Sequence, residues 1–128
     1  IQNKILHLVV YLNLESNMKV SISDIGGEVV KQDERYIVKD NTSLNNLVVS
    51  STRLQPRKAT SGHSHAGQEE VYYFIEGTGK MELDEEIIKV ESGDVILIED
   101  GVYHRVHAGM HEELYFVCVF DGSRHVKK

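Results

Sequence analysis

The sequence predicts an all-β fold in which one barrel or sandwich of short strands makes up the globular part of the chain. Apolar and polar residues alternate in short runs, a period of two that is typical of strands buried on one face. Gly, Asn, Asp and Ser interrupt the runs at close intervals, which indicates frequent turns. A chain of 128 residues, 41% of them hydrophobic and 27% charged, has the size and composition of one globular domain.

Ten segments carry the strand pattern. The predicted strands are 19–23, 28–30, 35–38, 47–54, 71–76, 80–84, 87–90, 94–98, 103–107 and 113–120. Strand 47–54 leads into a glycine- and histidine-rich segment, and the strands after it follow one another closely. We expect the second half of the chain to be a meander of neighbouring strands.

Glycine and acidic residues mark the turns of this second half. Gly77-Thr78-Gly79 predicts a hairpin between strands 71–76 and 80–84, because glycine reaches backbone angles that cost other residues energy. Asp84-Glu85-Glu86 predicts the next reversal. Ser92-Gly93-Asp94 and Asp100-Gly101 mark the two turns that follow.

Residues 1–17 are predicted to be an N-terminal extension, and residues 18–128 the barrel domain. The apolar stretch within residues 1–14 is far shorter than the roughly 20 residues that a membrane-spanning helix needs. It lacks a clustered basic start and a small-residue cleavage site, so it does not resemble a secretory signal. Met18 opens a segment that resembles a natural start. We expect residues 1–17 to be flexible or to pack on a partner subunit.

Charge and cysteine content narrow the partners and the compartment. The chain has 14 Lys and Arg against 20 Asp and Glu, a formal net charge of -6, which argues against nucleic acid and anionic membranes as partners. Cys118 is the only cysteine and lies in the apolar run 114–120, so we expect it to pack as a small hydrophobic side chain. A cytoplasmic location is therefore expected.

Two histidine-containing turns carry the chemistry that the sequence offers. His63 and His65 are two residues apart, and on an extended chain this spacing directs both imidazoles to the same face. Glu70 follows closely. Further along, Gly101 marks a turn that delivers His104 from a strand distant in sequence. Imidazole and carboxylate together suit several first-row divalent metals.

With these residues the sequence resembles the cupin superfamily, whose two motifs are approximately G-x5-H-x-H-x(3,4)-E-x6-G and G-x5-P-x-G-x2-H-x3-N. The positions that match are His63, His65, Glu70 and Gly77 in the first motif, and Gly93, Gly101 and His104 in the second. Choosing Glu69 as the acidic residue would put Glu76 where the family has glycine. The departures are Arg57 for glycine, Glu99 for proline and Ala108 for asparagine. None of these positions is usually a metal ligand.

The resemblance implies a jelly-roll barrel with one divalent transition metal ion in its mouth. His63, His65, Glu70 and His104 are the implied ligands, and two or three coordination positions are implied to stay open to water or substrate. The metal stays unspecified among iron, manganese, nickel, zinc, cobalt and copper, because the same ligand set accepts each of them. A homodimer is the family-level expectation.

The expected function is that of a metal-dependent enzyme acting on a small oxygen-bearing metabolite, by sugar isomerase or epimerase, dioxygenase or lyase chemistry. Tyr72 shares parity with Glu70 and is a candidate proton donor, while Glu82 on a neighbouring strand is a candidate acid or base. For Tyr72 the alternative is a core aromatic side chain, and for Glu82 a surface carboxylate. His107 has the wrong parity relative to His104 to share its cavity.

Two readings from other classes stay open. The protein is alternatively a binding or sensory module that holds a small ligand without turnover, which needs only a shaped pocket. A third possibility is a structural barrel whose metal site supports stability, which predicts a closed ligand shell. Fold resemblance alone does not choose among these functions.

Overall fold

The structure, a computed structural model, describes residues 18–122 and consists there of nine β-strands. The predicted extension 1–17 and residues 123–128 lie outside the described residues. Within the described part of the chain, no helix is long and apolar enough to cross a membrane. The strands are β1 (Glu28–Gln32), β2 (Tyr36–Asn41), β3 (Leu47–Leu54), β4 (Glu70–Glu76), β5 (Thr78–Leu83), β6 (Glu86–Glu91), β7 (Val95–Ile98), β8 (His104–Ala108) and β9 (Leu114–Asp121).

The predicted strands are confirmed except for the first. Segment 19–23 is a turn, in which the backbone amides of Ser21 and Asp24 each donate to the other residue's carbonyl at 3.1 Å. The amide of Ser23 also donates to the Ser21 hydroxyl at 3.2 Å. The prediction was wrong because short polar side chains bond the local backbone and so compete with pairing in a sheet.

The strands form two antiparallel sheets. The larger has the order β1-β2-β3-β9-β4-β7, and the smaller has the order β6-β5-β8. From β4 onwards the chain moves repeatedly between the sheets, which is the pattern of a jelly roll. The expectation of a simple meander in the second half was therefore wrong.

The turn at Gly77 explains this difference. The predicted hairpin between β4 and β5 does not form, because the two strands belong to different sheets. Gly77 has a φ of +90°, and a Cβ at this position would overlap the carbonyl oxygen of Glu113, which directly precedes β9. Glycine at this position lets the chain pass close to Glu113 as it crosses from one sheet to the other. The reversal at Asp84-Glu85-Glu86 is confirmed as the link between the paired strands β5 and β6.

The core lies between the inner faces of the two sheets. Its most deeply buried side chains come from both sheets and include Leu54, Phe74, Met81, Val106 and Leu114. Cys118 is buried, as its place in an apolar run predicts. Its thiol is free. Three aromatic rings continue this core toward one end of the barrel, with centroid separations of 5.3 to 6.3 Å among Tyr72, Phe74 and Phe116.

Candidate metal centre

A short antiparallel bridge sets His63 opposite His104. The amide of His63 donates to the carbonyl of His104 at 3.2 Å, and the amide of His104 donates to the carbonyl of His63 at 3.0 Å. Residues directly opposite on such a pair direct their side chains to the same face. The two imidazole rings accordingly lie edge to face with centroids 4.6 Å apart.

The segment that carries His63 and His65 is tied to the turn before β8. The amide of Gly67 donates to the Asp100 carboxylate at 2.6 Å, and the amide of Gly101 donates to the carbonyl of His65 at 3.2 Å. The His65 ring centroid lies 4.6 Å from that of His63 and 6.4 Å from that of His104. The three imidazole rings therefore lie near one another although His104 is distant in sequence. Among the described residues, the ligand atoms close enough together to hold one ion are those of His63, Glu70 and His104, and His65 is not in this set.

Glu70, the first residue of β4, completes the group from the larger sheet. Its Oε2 lies 2.8 Å from Nε2 of His104, and the two side chains are only 7% and 3% exposed. One ligand atom each of His63, Glu70 and His104 lie within 4.8 Å of one another. Glu69 is exposed on the preceding loop, so the structure places Glu70 rather than Glu69 beside the histidines.

His104 presents a buried nitrogen with an unused lone pair. Its Nδ1 lies 3.0 Å from the carbonyl oxygen of Val102, and because a carbonyl only accepts, Nδ1 carries the donated proton. The buried Nε2 lies 2.8 Å from Oε2 of Glu70, but the angle of this contact is too poor for a good hydrogen bond, and no other described residue bonds Nε2. Leaving a buried polar atom unsatisfied costs about 1–3 kcal/mol. A cation between Nε2 and the Glu70 carboxylate would satisfy both groups.

The two histidines of the bridge have pKa values shifted in opposite directions. Burial alone lowers the pKa of His104, but the Glu70 carboxylate and the Val102 carbonyl favour the protonated ring and together raise it. The pKa of His63 is lowered, chiefly by partial desolvation and then by the His104 charge. Glu70 opposes this shift, and Lys31 adds a smaller lowering contribution. Proton and metal ion thus compete for the His104 ring.

His63, His65 and Glu70 line a cavity of about 240 Å³, and His104 lies outside its wall. Tyr72 lies in its wall, with its ring centroid 5.8 Å from that of His104. Burial raises the pKa of the Tyr72 phenol well above its ordinary value, so the side chain keeps its proton. Tyr72 therefore belongs to the core, as the alternative reading expected, and also borders the cavity.

Glu82 lies away from this cavity. Its neighbour on β5, Met81, points into the core, so Glu82 points to the outer face of the smaller sheet. There its Oε2 is 2.6 Å from Nε2 of His107, and both residues line a separate surface cleft. The parity expectation for His107 agrees with this outward position. The structure therefore does not bring Glu82 together with the histidine group.

The three departures from the family motif make contacts elsewhere in the fold. Arg57, where the motif has glycine, has a φ of 68°, so it keeps the left-handed backbone that glycine adopts without cost. Its Nε donates to the carbonyl of Met110 at 3.3 Å. The carbonyl of Glu99 accepts the amide of Val102 at 3.2 Å, and Ala108 packs against the core.

Lys31 and Asp40 also line the cavity, and neither belongs to the predicted site. No local motif marks them, because their position depends on how β1 pairs with β2. The hydrophobic pattern of residues 28–30 indicates a strand but contains no signal for its register.

Comparisons with known proteins bear on both the fold and the site. Residues 50–120 match the family model Cupin_2, described as a cupin domain. An uncharacterized protein of Methanocaldococcus jannaschii is 38% identical over 56 residues, which are 44% of this chain. The matched part spans 45% of that relative's length.

Solved structures with the same fold come from several bacteria. A double-stranded β-helix domain protein of Klebsiella pneumoniae is similar with a TM-score of 0.69 and 18% identity, covering 80% of this chain and 88% of that one. A predicted oxalate decarboxylase of Thermotoga maritima is similar with a TM-score of 0.68 and 20% identity, covering 80% of this chain and 97% of that one. The polyketide cyclase RemF of Streptomyces resistomycificus is similar with a TM-score of 0.67 and 22% identity, covering 80% of this chain and 78% of that one. At these identities the likeness shows the fold alone.

Proposed function

Because this chain belongs to the cupin domain family, we propose that His63, His65, Glu70 and His104 hold one divalent transition metal ion at the mouth of the barrel. The observation that carries this proposal is the pair formed by His104 and Glu70. A buried nitrogen without a hydrogen-bond partner lies 2.8 Å from a buried carboxylate oxygen. Such an arrangement is costly in an empty core and favourable around a cation.

The donor set fits such an ion. Three imidazoles and one carboxylate suit manganese, iron, cobalt, nickel, copper and zinc. The hydrogen bond from Nδ1 of His104 to the Val102 carbonyl is the kind of outer contact that orients a ligating histidine and fixes its tautomer. Since only one of the four donors carries a negative charge, a bound divalent ion keeps a net positive charge.

We further propose that the protein is a metal-dependent enzyme for a small oxygen-bearing molecule. When bound, the ion would act as a Lewis acid on an oxygen of that molecule or on water. The cavity of about 240 Å³ is smaller than the roughly 300–1,000 Å³ of pockets for drug-sized ligands, which supports a small substrate. Isomerisation or epimerisation, dioxygenation and lyase reactions are the candidate classes.

Tyr72 is the candidate residue for a polar contact with the bound molecule. Its phenol keeps its proton because burial raises its pKa, and no hydrogen bond joins it to another described side chain. We propose that it donates a hydrogen bond to the bound molecule. The rings of Phe116 and Phe120 also line the cavity and would exclude water around that contact.

A second candidate is a binding module that holds its ligand without turnover. The position of Glu82 favours it, because only one of the two proposed proton-transfer residues borders the cavity. The names of the similar Thermotoga maritima and Streptomyces resistomycificus proteins refer to different reactions, so they do not select one. The expected homodimer stays a prediction that size measurement in solution would test.

Calorimetric titration tests the proposed function. Protein treated with EDTA should bind Zn²⁺ or Mn²⁺ at one ion per chain, and Glu70→Gln should weaken binding because it removes the one anionic ligand. Glu69→Gln, an exposed neighbour, is the matched control and should bind like the wild type. Equal binding by all three proteins, or none by the wild type, would contradict the metal site. Turnover of small hydroxy, oxo or phenolic acids by the loaded protein would then separate enzyme from binding module.

A further inference from the structure

Strand β1 contains a register shift directly beside the cavity. Glu28 pairs with Asp40 and Val29 with Lys39, but Lys31 rather than Val30 pairs with Val38. A regular continuation would place Val30 opposite Val38 and Lys31 opposite Ile37. The one extra residue is a β-bulge, a feature that re-aims side chains and is common next to active sites.

The bulge decides which way Lys31 points. Tyr36, Val38 and Asp40 alternate along β2, and all three line the cavity. Because residues directly opposite in a strand pair share a face, Lys31 shares the cavity face of Val38. Lys31 and its neighbour Val30 accordingly both border the cavity. Without the bulge, Lys31 would share the outer face of Ile37.

Lys31 brings an uncompensated positive charge to this position. Among residues 18–122 no carboxylate pairs with it, whereas the nearby Arg35 pairs with Asp33 at 2.8 Å and Lys39 pairs with Asp24 at 3.0 Å. The cavity wall also contains the carboxylates of Asp40 and Glu70. With a divalent ion at the histidines, these charges leave the cavity positive, which favours an anionic ligand.

We propose that Lys31 forms an anion subsite that binds the carboxylate of a small ligand while another part of the same ligand faces the histidine group. The inference rests on the proposed function, since it places the ligand between Lys31 and the metal site. The ligand class is a carboxylic acid small enough for a cavity of about 240 Å³. A lysine acts here as a point charge for an anionic oxygen.

The test compares acids with their neutral amides on zinc-loaded protein. Acetate, lactate and malonate are each titrated against acetamide, lactamide and malonamide, with binding followed by ligand-observed NMR. We expect at least one acid to bind the wild type about 10-fold more tightly than its amide, and Lys31→Met to lose most of that preference. Lys31→Arg should retain it. Lys80→Met removes an equal charge from the exposed β5 position Lys80 and should behave like the wild type.

The outcomes separate this inference from the metal site. Zinc binding is measured first on every variant, and it should be the same in the wild type and in Lys31→Met, because Lys31 is not a proposed ligand. Failure of the wild type to bind zinc would overturn the proposed function. Normal zinc binding with no preference of the wild type for any acid, or with the same preference in Lys31→Met, would overturn the anion subsite alone.

Discussion

Nε2 of His104 and Oε2 of Glu70 lie 2.8 Å apart, on strands of different sheets and with almost no exposure to solvent. Breaking a buried pair of this kind by removing one partner is costly, because the remaining group stays unsatisfied. The pair therefore links the stability of the barrel mouth to the chemistry of the site. Either a proton or a metal ion can occupy the space between the two groups. The first predictions follow from the competition between them.

We predict that pH changes the stability of metal-free protein through His104. The folded-state pKa of His104 is raised, so its contribution is fully present below the ordinary histidine pKa of about 6.5 and is lost as pH rises through the raised value. The measurement is the free energy of unfolding of EDTA-treated wild type minus that of His104→Gln, as a function of pH. The difference reports on His104 together with its coupling to His63, because the His104 charge is one cause of the lowered pKa of His63. A difference that does not change with pH would contradict the prediction.

Metal binding should show the opposite dependence on pH. The ion binds only the deprotonated His104 ring, so it must displace the proton that the raised pKa retains. We expect the affinity for Zn²⁺ to increase as pH rises through that pKa, and proton release to be detectable as a buffer-dependent heat in calorimetry. The same heat in buffers of different ionisation enthalpy would show that no proton is displaced.

Occupancy of the site should stabilise the fold. Binding to the native state alone adds about 2.7 kcal/mol to the free energy of unfolding when free metal is 100 times the Kd. Thermal denaturation with and without Zn²⁺ should show this increase in the wild type and in Glu69→Gln, and little of it in Glu70→Gln. Stabilisation of equal size in Glu70→Gln would mean that the ion binds elsewhere.

Gly77 should be far less tolerant of substitution than Gly93. Both have a positive φ, of 90° and 97°, but an added Cβ at Gly77 would overlap the Glu113 carbonyl, while at Gly93 it meets open space. We expect Gly93→Ala to cost about 1 kcal/mol of stability from backbone strain, and Gly77→Ala to cost clearly more because the crossing between sheets must shift. Chemical denaturation of both variants measures this. Equal losses would contradict the crossing geometry.

Cys118 should be unreactive in the folded protein. The thiol is buried, and burial raises its pKa far above the ordinary value, so little thiolate is exposed to reagents. A chromogenic disulfide reagent should react at a rate limited by unfolding, and at once in denaturant. Rapid stoichiometric reaction under native conditions would place the thiol at the surface.

The sequence pattern anticipated features that depend on local alternation. Strand Leu47–Leu54 has the predicted bounds, and the parity of Glu70, Tyr72 and Phe74 gives the buried positions of β4. The prediction that His63 and His104 meet came from their match to two motifs of a family whose fold brings those motifs together. These predictions needed only the period of a strand or a complete motif.

Features that depend on pairing between distant strands could not be predicted in the same way. A glycine turn such as Gly77-Thr78-Gly79 suits a hairpin and a crossing between sheets equally well, and only packing against Glu113 decides between them. The bulge that turns Lys31 into the cavity is a matter of register between β1 and β2. Glu82 is a different case, because it alternates with the apolar Met81 and Leu83 and a period of two already favours the outward position that the structure gives it.

Elemental analysis of protein purified without added metal tests the central claim most directly. The wild type and His111→Ala, which changes an exposed histidine, should each carry close to one divalent transition metal ion per chain. His104→Ala should carry far less, because it removes a buried ligand and leaves the Glu70 carboxylate without its partner. Equal metal content in His104→Ala and the wild type would contradict the account.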